Sequence, residues 1–170
     1  IPADNSPINS QTNIGKSKNG IGYRVERPLP CERLTQGQTG TWPGNFASGM
    51  ALLHTLKKEE LSPSESSVSP LRIVFDTPVR GAGAPIQQRF GFSKPSGAPF
   101  NAIIKAFDSN LPAPNLLMEA APLLGLSNDQ ADKAIFMGFL NDSGEAANIK
   151  SIAFSTDVQT SDDLDNDFAV

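Results

Sequence analysis

Few side chains in this 170-residue chain are of the kinds that carry covalent or metal chemistry. His54 and Cys31 are its only histidine and its only cysteine. A Ser-His-Asp or Cys-His nucleophile would have to use one of them, and neither lies in a local motif of such sites. One histidine and one cysteine also leave too few of the ligands that zinc takes in proteins. The sequence therefore predicts that the protein is not an enzyme.

An acidic segment carries the main metal hypothesis. Asp163, Asp165 and Asp167 alternate along it, and calcium takes about six to eight oxygen ligands from carboxylates, amides and carbonyls. The spacing resembles the start of a calcium loop but lacks the glycine and the distal glutamate of an EF-hand. Two interpretations stay open, a calcium site and a solvated acidic turn before an edge strand. If the chain takes a cofactor, we expect calcium at these three aspartates.

Two aromatic side chains are the candidates for ligand binding. Trp42 and Tyr23 are the only tryptophan and the only tyrosine, and an aromatic ring offers a flat apolar surface on which a sugar can stack. Trp42 lies beside Pro43-Gly44 within the long irregular stretch 28–49, and loops of that length often serve a function. The alternative role for Trp42 is to close the open end of a sandwich.

Short apolar runs between turn-rich segments indicate the fold that must position these residues. The runs 71–76 (LRIVFD), 100–107 (FNAIIKAF), 135–140 (IFMGFL) and 149–154 (IKSIAF) are strand-length, rich in aromatic or β-branched residues and bounded by turn residues. The segment 50–61 fits a helix or a strand, and we favour a strand over 50–55. The spacing predicts an all-β fold, an antiparallel jelly-roll-like β-sandwich of about eight to ten strands with at most one or two short helical turns.

The inner faces of this sandwich should carry the larger apolar side chains of the predicted strands, because side chains alternate between the two faces of a strand. The expected inner-face residues are Val25, Leu53, Ile73, Phe75, Phe90, Phe92, Ile104, Phe139, Ile152 and Phe154.

Composition excludes two classes of partner. The formal net charge is −4, whereas binding to a phosphate backbone needs a basic face. No apolar run approaches the roughly 20 residues of a membrane-spanning helix. We therefore expect neither nucleic-acid binding nor a membrane span.

The first 20 residues read as a flexible or extended arm, and residues 21–170 as a single β-sandwich domain. Ile8 and Ile14 are spaced to occupy two pockets along an extended path. We expect the arm to be disordered in a monomer or ordered against an edge strand of a neighbouring copy, so that self-association would pass through residues 1–20.

The order of motifs resembles a known group of domains. The segments that carry this likeness are 42–49 (WPGNFASG), 52–55 (LLHT), 73–84 (IVFDTPVRGAGA), 100–108 (FNAIIKAFD), 135–139 (IFMGF), 149–154 (IKSIAF) and 167–170 (DFAV). They are similar to jelly-roll domains of exported bacterial proteins of the PEP-CTERM type, which in turn resemble carbohydrate-binding modules. Residues 57–69 depart from that pattern as an apparent insertion, and the C-terminal sorting segment of such proteins is absent.

The resemblance implies a location outside the cell or on its surface. It also implies a non-catalytic binding module, whose partner would be a glycan, the extracellular matrix or a protein surface. The alternative is a structural, self-associating subunit of a surface layer or filament.

Overall fold

The described parts of the chain are built of β-strands. The computed structural model describes residues 6–8, 13–16, 19–26, 31–35, 46–55, 70–89, 97–109, 114–127, 134–141, 146–157 and 167–170. Within these ranges there are thirteen strands and no helix. The strands are β1 (Ser6–Ile8), β2 (Asn13–Lys16), β3 (Gly22–Val25), β4 (Cys31–Thr35), β5 (Ala51–Thr55), β6 (Leu71–Val79), β7 (Gly81–Arg89), β8 (Pro99–Phe107), β9 (Leu116–Glu119), β10 (Leu123–Leu126), β11 (Ile135–Leu140), β12 (Ile149–Thr156) and β13 (Asp167–Ala169).

The strands form two sheets. Sheet A has six strands in the order β1-β4-β5-β13-β7-β11, and sheet B has seven, in the order β10-β8-β12-β6-β3-β2 with β9 also paired to β8. Every pairing between described strands is antiparallel. The predicted all-β fold of antiparallel sheets is confirmed. The number of strands exceeds the expected eight to ten because several are only three or four residues long.

The core lies between the two sheets. In β8, alternate residues from Phe100 to Ala106 are buried, as expected for a strand with one face towards a core. Most of the predicted inner-face residues join one apolar cluster. Val25, Ile73, Ile104, Ile152 and Phe154 are buried in that cluster, and Leu53, Phe75 and Phe139 pack against it. Phe90 and Phe92 lie outside the described residues.

The N-terminal arm supplies an edge strand to each sheet. β1 pairs with β4 in sheet A, and β2 pairs with β3 in sheet B. Ile8 and Ile14 are both buried in the core cluster. We expected the arm to be disordered in a monomer or ordered on a neighbouring copy. Its described segments instead pair within the chain, because the free edges of the chain's own sheets offer the same backbone hydrogen bonds and two apolar sites.

At the opposite margin, β8 carries a two-part edge strand. β9 pairs with residues 105–107 of β8 and β10 pairs with residues 99–102. Between them, the Ala120 N–H donates a hydrogen bond to the Ile104 carbonyl oxygen, over 3.3 Å. Pro122 falls in the break between β9 and β10, and an edge strand is where a sheet tolerates a proline.

Candidate functional site

The residues predicted to bind ligands are only partly within the described ranges. Tyr23 lies in β3, is half-buried and packs against the core cluster. Asp167 begins β13. Trp42, Asp163 and Asp165 lie outside the described residues, so Tyr23 and Asp167 are the candidates that the structure places.

A large cavity lies between the two sheets, and Tyr23 is one of its lining residues. Its volume is about 790 Å³, within the range of roughly 300–1,000 Å³ that is usual for small-molecule sites. The apolar side chains around it come from both sheets. They include Ile14, Ile21, Leu53, Ile73, Phe75, Ala82, Ala84, Ile152, Phe154 and Val170.

Small side chains on β7 account for the space. Ala82 and Ala84 of sheet A line the cavity, while β6 and β12 of sheet B line it with isoleucine and phenylalanine. A wall of alanines across from larger side chains leaves a volume that leucine or phenylalanine would otherwise fill. The backbones of β7 and β11 lie close together, since a Cβ added at Gly83 would be 2.5 Å from the Met137 carbonyl oxygen. A close backbone approach, with a regular β7–β11 register, explains the glycines of 81–84.

Polar groups are few around the cavity and carry one sign of charge. The charged residues among its described lining are Arg33 of β4 and Arg80 at the β6–β7 corner. Tyr23 and Asn19 are the uncharged residues with polar side-chain groups in this described lining. Pro78 and Arg80 are exposed, so the cavity reaches solvent at this corner. Such a lining suits a mostly apolar ligand with a polar or anionic end.

The arginines are tied into the protein framework. Arg33 Nη1 donates to Thr35 Oγ1 over 3.2 Å, and Arg80 Nη2 lies 3.5 Å from the Asn141 carbonyl oxygen. These bonds hold the two guanidinium groups at the cavity lining, where each contributes a positive charge.

A buried charge elsewhere has a structural role. Arg72 of β6 stacks over the Phe107 ring, with its guanidinium carbon 4.1 Å from the ring centroid. Its Nη1 donates a hydrogen bond to Ser151 Oγ over 3.4 Å. Burial holds the pKa of Arg72 below its ordinary value, and the nearby charge of Glu26 partly offsets that effect. These contacts link β6 to β8 and β12, so Arg72 connects three strands of sheet B.

The described part of the chain contains no group of three or more His, Cys, Asp or Glu residues arranged to hold a metal ion. The predicted calcium residues are largely outside it, so calcium stays a prediction. The described residues also include no helix that is long and apolar enough to cross a membrane.

Analysis of the sequence missed the cavity wall. Ala82 and Ala84 alternate within a run of glycines and alanines, and that run suggested only unusual backbone geometry. A useful signal would have been two small residues at inward-facing positions of one strand, when the inward-facing residues of the other strands are large.

Comparison with known proteins gives no further assignment. No protein-family model, no curated protein and no solved structure matches this chain. The likeness to exported bacterial jelly-roll domains therefore stays a prediction.

Proposed function

We propose that the protein is a non-catalytic binding module that holds a small amphipathic molecule in the cavity between its sheets. The observation that carries the proposal is the cavity of about 790 Å³. Its lining of mostly aliphatic side chains favours an apolar body of the ligand, since burying apolar surface contributes about 25 cal/mol per Å². Arg33 and Arg80 favour an anionic end, through charge-assisted hydrogen bonds.

A direct test uses a fluorescent fatty acid, 11-(dansylamino)undecanoic acid, titrated with the purified chain. We expect saturable binding with a rise in dansyl emission. Ala84→Phe should fill the cavity and weaken binding at least tenfold. The matched control is Leu124→Ala, which removes an exposed side chain on β10 and should leave binding unchanged. Absence of saturable binding, or equal binding by Ala84→Phe, would contradict the proposal.

The melting temperature of Ala84→Phe gives a second readout. If the space next to Ala84 is open, the added ring fits and the melting temperature stays the same or rises. In a filled core the same substitution forces off-rotamer packing and costs about 1–3 kcal/mol. A lowered melting temperature would therefore count against the cavity itself.

The anionic end of the ligand has its own test. Arg33→Gln and Arg80→Gln should each weaken binding of the fatty acid about threefold to tenfold. Neither substitution should change the affinity for the corresponding dansylated alcohol, which has no carboxylate. Equal losses for the acid and the alcohol would show that the arginines do not recognise charge.

The ligands and location expected from the sequence belong to this proposal as well. A glycan, matrix or protein partner outside the cell or on its surface is tested by screening a glycan array with the wild-type chain and with Trp42→Ala.

Calcium at Asp163, Asp165 and Asp167 is tested by a melting curve. A bound ion raises the melting temperature by mass action, and a chelator should reverse the rise. An unchanged curve at millimolar calcium would leave the segment as a solvated turn.

A further inference from the structure

One side of the sandwich exposes an unusual amount of apolar surface. Phe136 and Leu140 of β11 are 67% and 70% exposed, and Leu124 of β10 is 69% exposed. Leu116, Leu123 and Leu126 on the neighbouring strands β9 and β10 are also exposed. β10 and β11 lie on the same side of the molecule, because a Cβ added at Gly125 would fall 2.5 Å from Ile135 Cδ1. We call these six exposed side chains and their strands the open side.

The edge strand of sheet A on the open side has no feature that prevents pairing. Edge strands are usually protected by a charge, a proline or a bulge. β1 contains Pro7, β2 contains Lys16, and β9 ends at Glu119, which pairs with Lys105 over 3.0 Å. β11 reads Ile-Phe-Met-Gly-Phe-Leu, without charge or proline, and its register with β7 has no bulge.

The backbone of β11 presents alternate residues to the outside. The Asn141 N–H donates to the Arg80 carbonyl oxygen over 2.7 Å. Phe136 lies opposite Pro85, which has no N–H to donate. In an antiparallel ladder, hydrogen-bonded and non-hydrogen-bonded pairs alternate. The odd-numbered residues of β11 therefore bond to β7, and Phe136, Gly138 and Leu140 direct their N–H and C=O groups to the edge at which no described strand pairs.

We propose that β11 pairs antiparallel with β11 of a second copy of this chain. In the register that uses the outward groups, Gly138 faces its own symmetry mate and Phe136 faces Leu140 of the partner copy. The pattern large–small–large about Gly138 is self-complementary, as a two-fold interface requires. Sheet A then continues across the two copies.

Side chains on β11 add apolar contacts to such a dimer. Phe136 and Leu140 are 67% and 70% exposed, and across the paired strands each would lie beside the other of the partner copy, as cross-strand pairs do in a sheet. A second copy suits this surface because the same apolar patch and the same free edge are present on it.

The molar mass of the chain in solution is measured by light scattering after gel filtration. Substitutions on β11 introduce charges that should repel one another if two β11 strands pair. The wild-type chain should be a dimer at micromolar concentration. The double variant Phe136→Lys/Leu140→Lys should be monomeric, because each lysine would face a lysine. Phe136→Glu/Leu140→Glu should be monomeric for the same reason. An equimolar mixture of the two variants should restore a dimer. A monomeric wild type, or a lysine variant that stays dimeric, would overturn the proposal.

Cross-linking tests the register. Facing Cα atoms in a hydrogen-bonded antiparallel pair are about 5.5 Å apart, a separation that a disulfide can span. A mixture of Phe136→Cys and Leu140→Cys chains should form a disulfide-linked dimer under mild oxidation. Phe136→Cys alone is the matched control. It should not cross-link, because position 136 of one copy lies far from position 136 of the other in this register. The native Cys31 is buried in the core. Cross-linking of Phe136→Cys alone would overturn the proposed register.

Discussion

The two sides of the sandwich end in different ways. At one side the N-terminal arm adds β1 to sheet A and β2 to sheet B, and Ile8 and Ile14 enter the core. At the open side, β11 and the β9–β10 edge leave leucines and a phenylalanine in solvent. Both sides face the same physical requirement, since a sheet edge presents unpaired backbone groups. Among the described strands, the chain supplies its own edge strands at the first side, whereas no described strand pairs with the outer edge of β11.

This difference separates folding from association. Side chains of the closed side are buried within one copy, so their loss lowers the free energy of unfolding. Side chains of the open side are already in solvent, and their loss changes stability little in the monomer.

Removal of residues 1–18 should have the largest effect. It deletes β1 and β2 together with two core isoleucines, and losing a buried side chain of that size costs about 2–5 kcal/mol. Two such losses approach the roughly 5–15 kcal/mol total stability of a domain. We expect the melting temperature to fall by at least about 10 °C, or cooperative unfolding to disappear. A chain lacking residues 1–5 is the control. An unchanged melting temperature for the chain lacking residues 1–18 would show that the arm is not part of the domain.

Single substitutions sharpen the comparison. Ile8→Ala should lower the free energy of unfolding by about 2–4 kcal/mol, because Ile8 has no exposed surface. Leu124→Ala, at an exposed position on the open side, should change it by less than about 0.5 kcal/mol in a monomer. Urea denaturation of both substitutions, each made in the monomeric Phe136→Lys/Leu140→Lys background, measures the difference. Equal losses would contradict the distinction between the two sides.

Gly125→Ala tests how closely the two sheets approach at the open side. Its added Cβ would lie 2.5 Å from Ile135 Cδ1 and 2.6 Å from the Phe100 ring. We expect a loss of about 1–3 kcal/mol from overpacking, measured by urea denaturation with Leu124→Ala as the matched neighbour. A neutral result would show that β10 and β11 separate easily.

The ion pair on the β9 edge should have the smallest effect. Lys105 Nζ and Glu119 Oε1 are 3.0 Å apart, but both side chains are more than two-fifths exposed. Exposed pairs contribute about 0–1 kcal/mol and weaken as salt screens them. A double-mutant cycle with Lys105→Gln and Glu119→Gln should give a coupling energy below about 1 kcal/mol. A larger value that persists in molar salt would show that this edge is covered.

The sequence predicts the positions of the regular strands well, but it predicts poorly which strands pair with each other in a sheet. Apolar alternation indicates strands at 71–76, 100–107, 135–140 and 149–154, which appear as β6, β8, β11 and β12. The choice of a strand over a helix at 50–55 is confirmed by β5. Periodicity reports which face of a strand is buried, and it therefore succeeds wherever one face packs on the core.

Features that depend on which strands are neighbours could not be predicted. β1 and β2 are too short to show alternation, and β1 pairs with β4 rather than with the next strand along the chain. The cavity requires Ala82 and Ala84 to face large side chains of the other sheet, which no single segment reveals. β11 was recognisable as a strand, but its position at an edge follows only from the sheet order. Tyr23 was selected from its residue type alone and lies at the cavity.

The position of β13 has a consequence for synthesis of the chain. β13 lies between β5 and β7, and Val170 and Leu53 exchange backbone hydrogen bonds of 2.8 and 3.0 Å beside it. Until these residues leave the ribosome, β1-β4-β5 and β7-β11 remain two separate ladders, each with a bare inner edge. Translation at about 5–20 residues per second leaves roughly 4–16 s between the end of β7 and β13. During that interval the nascent chain presents edges that its finished fold conceals.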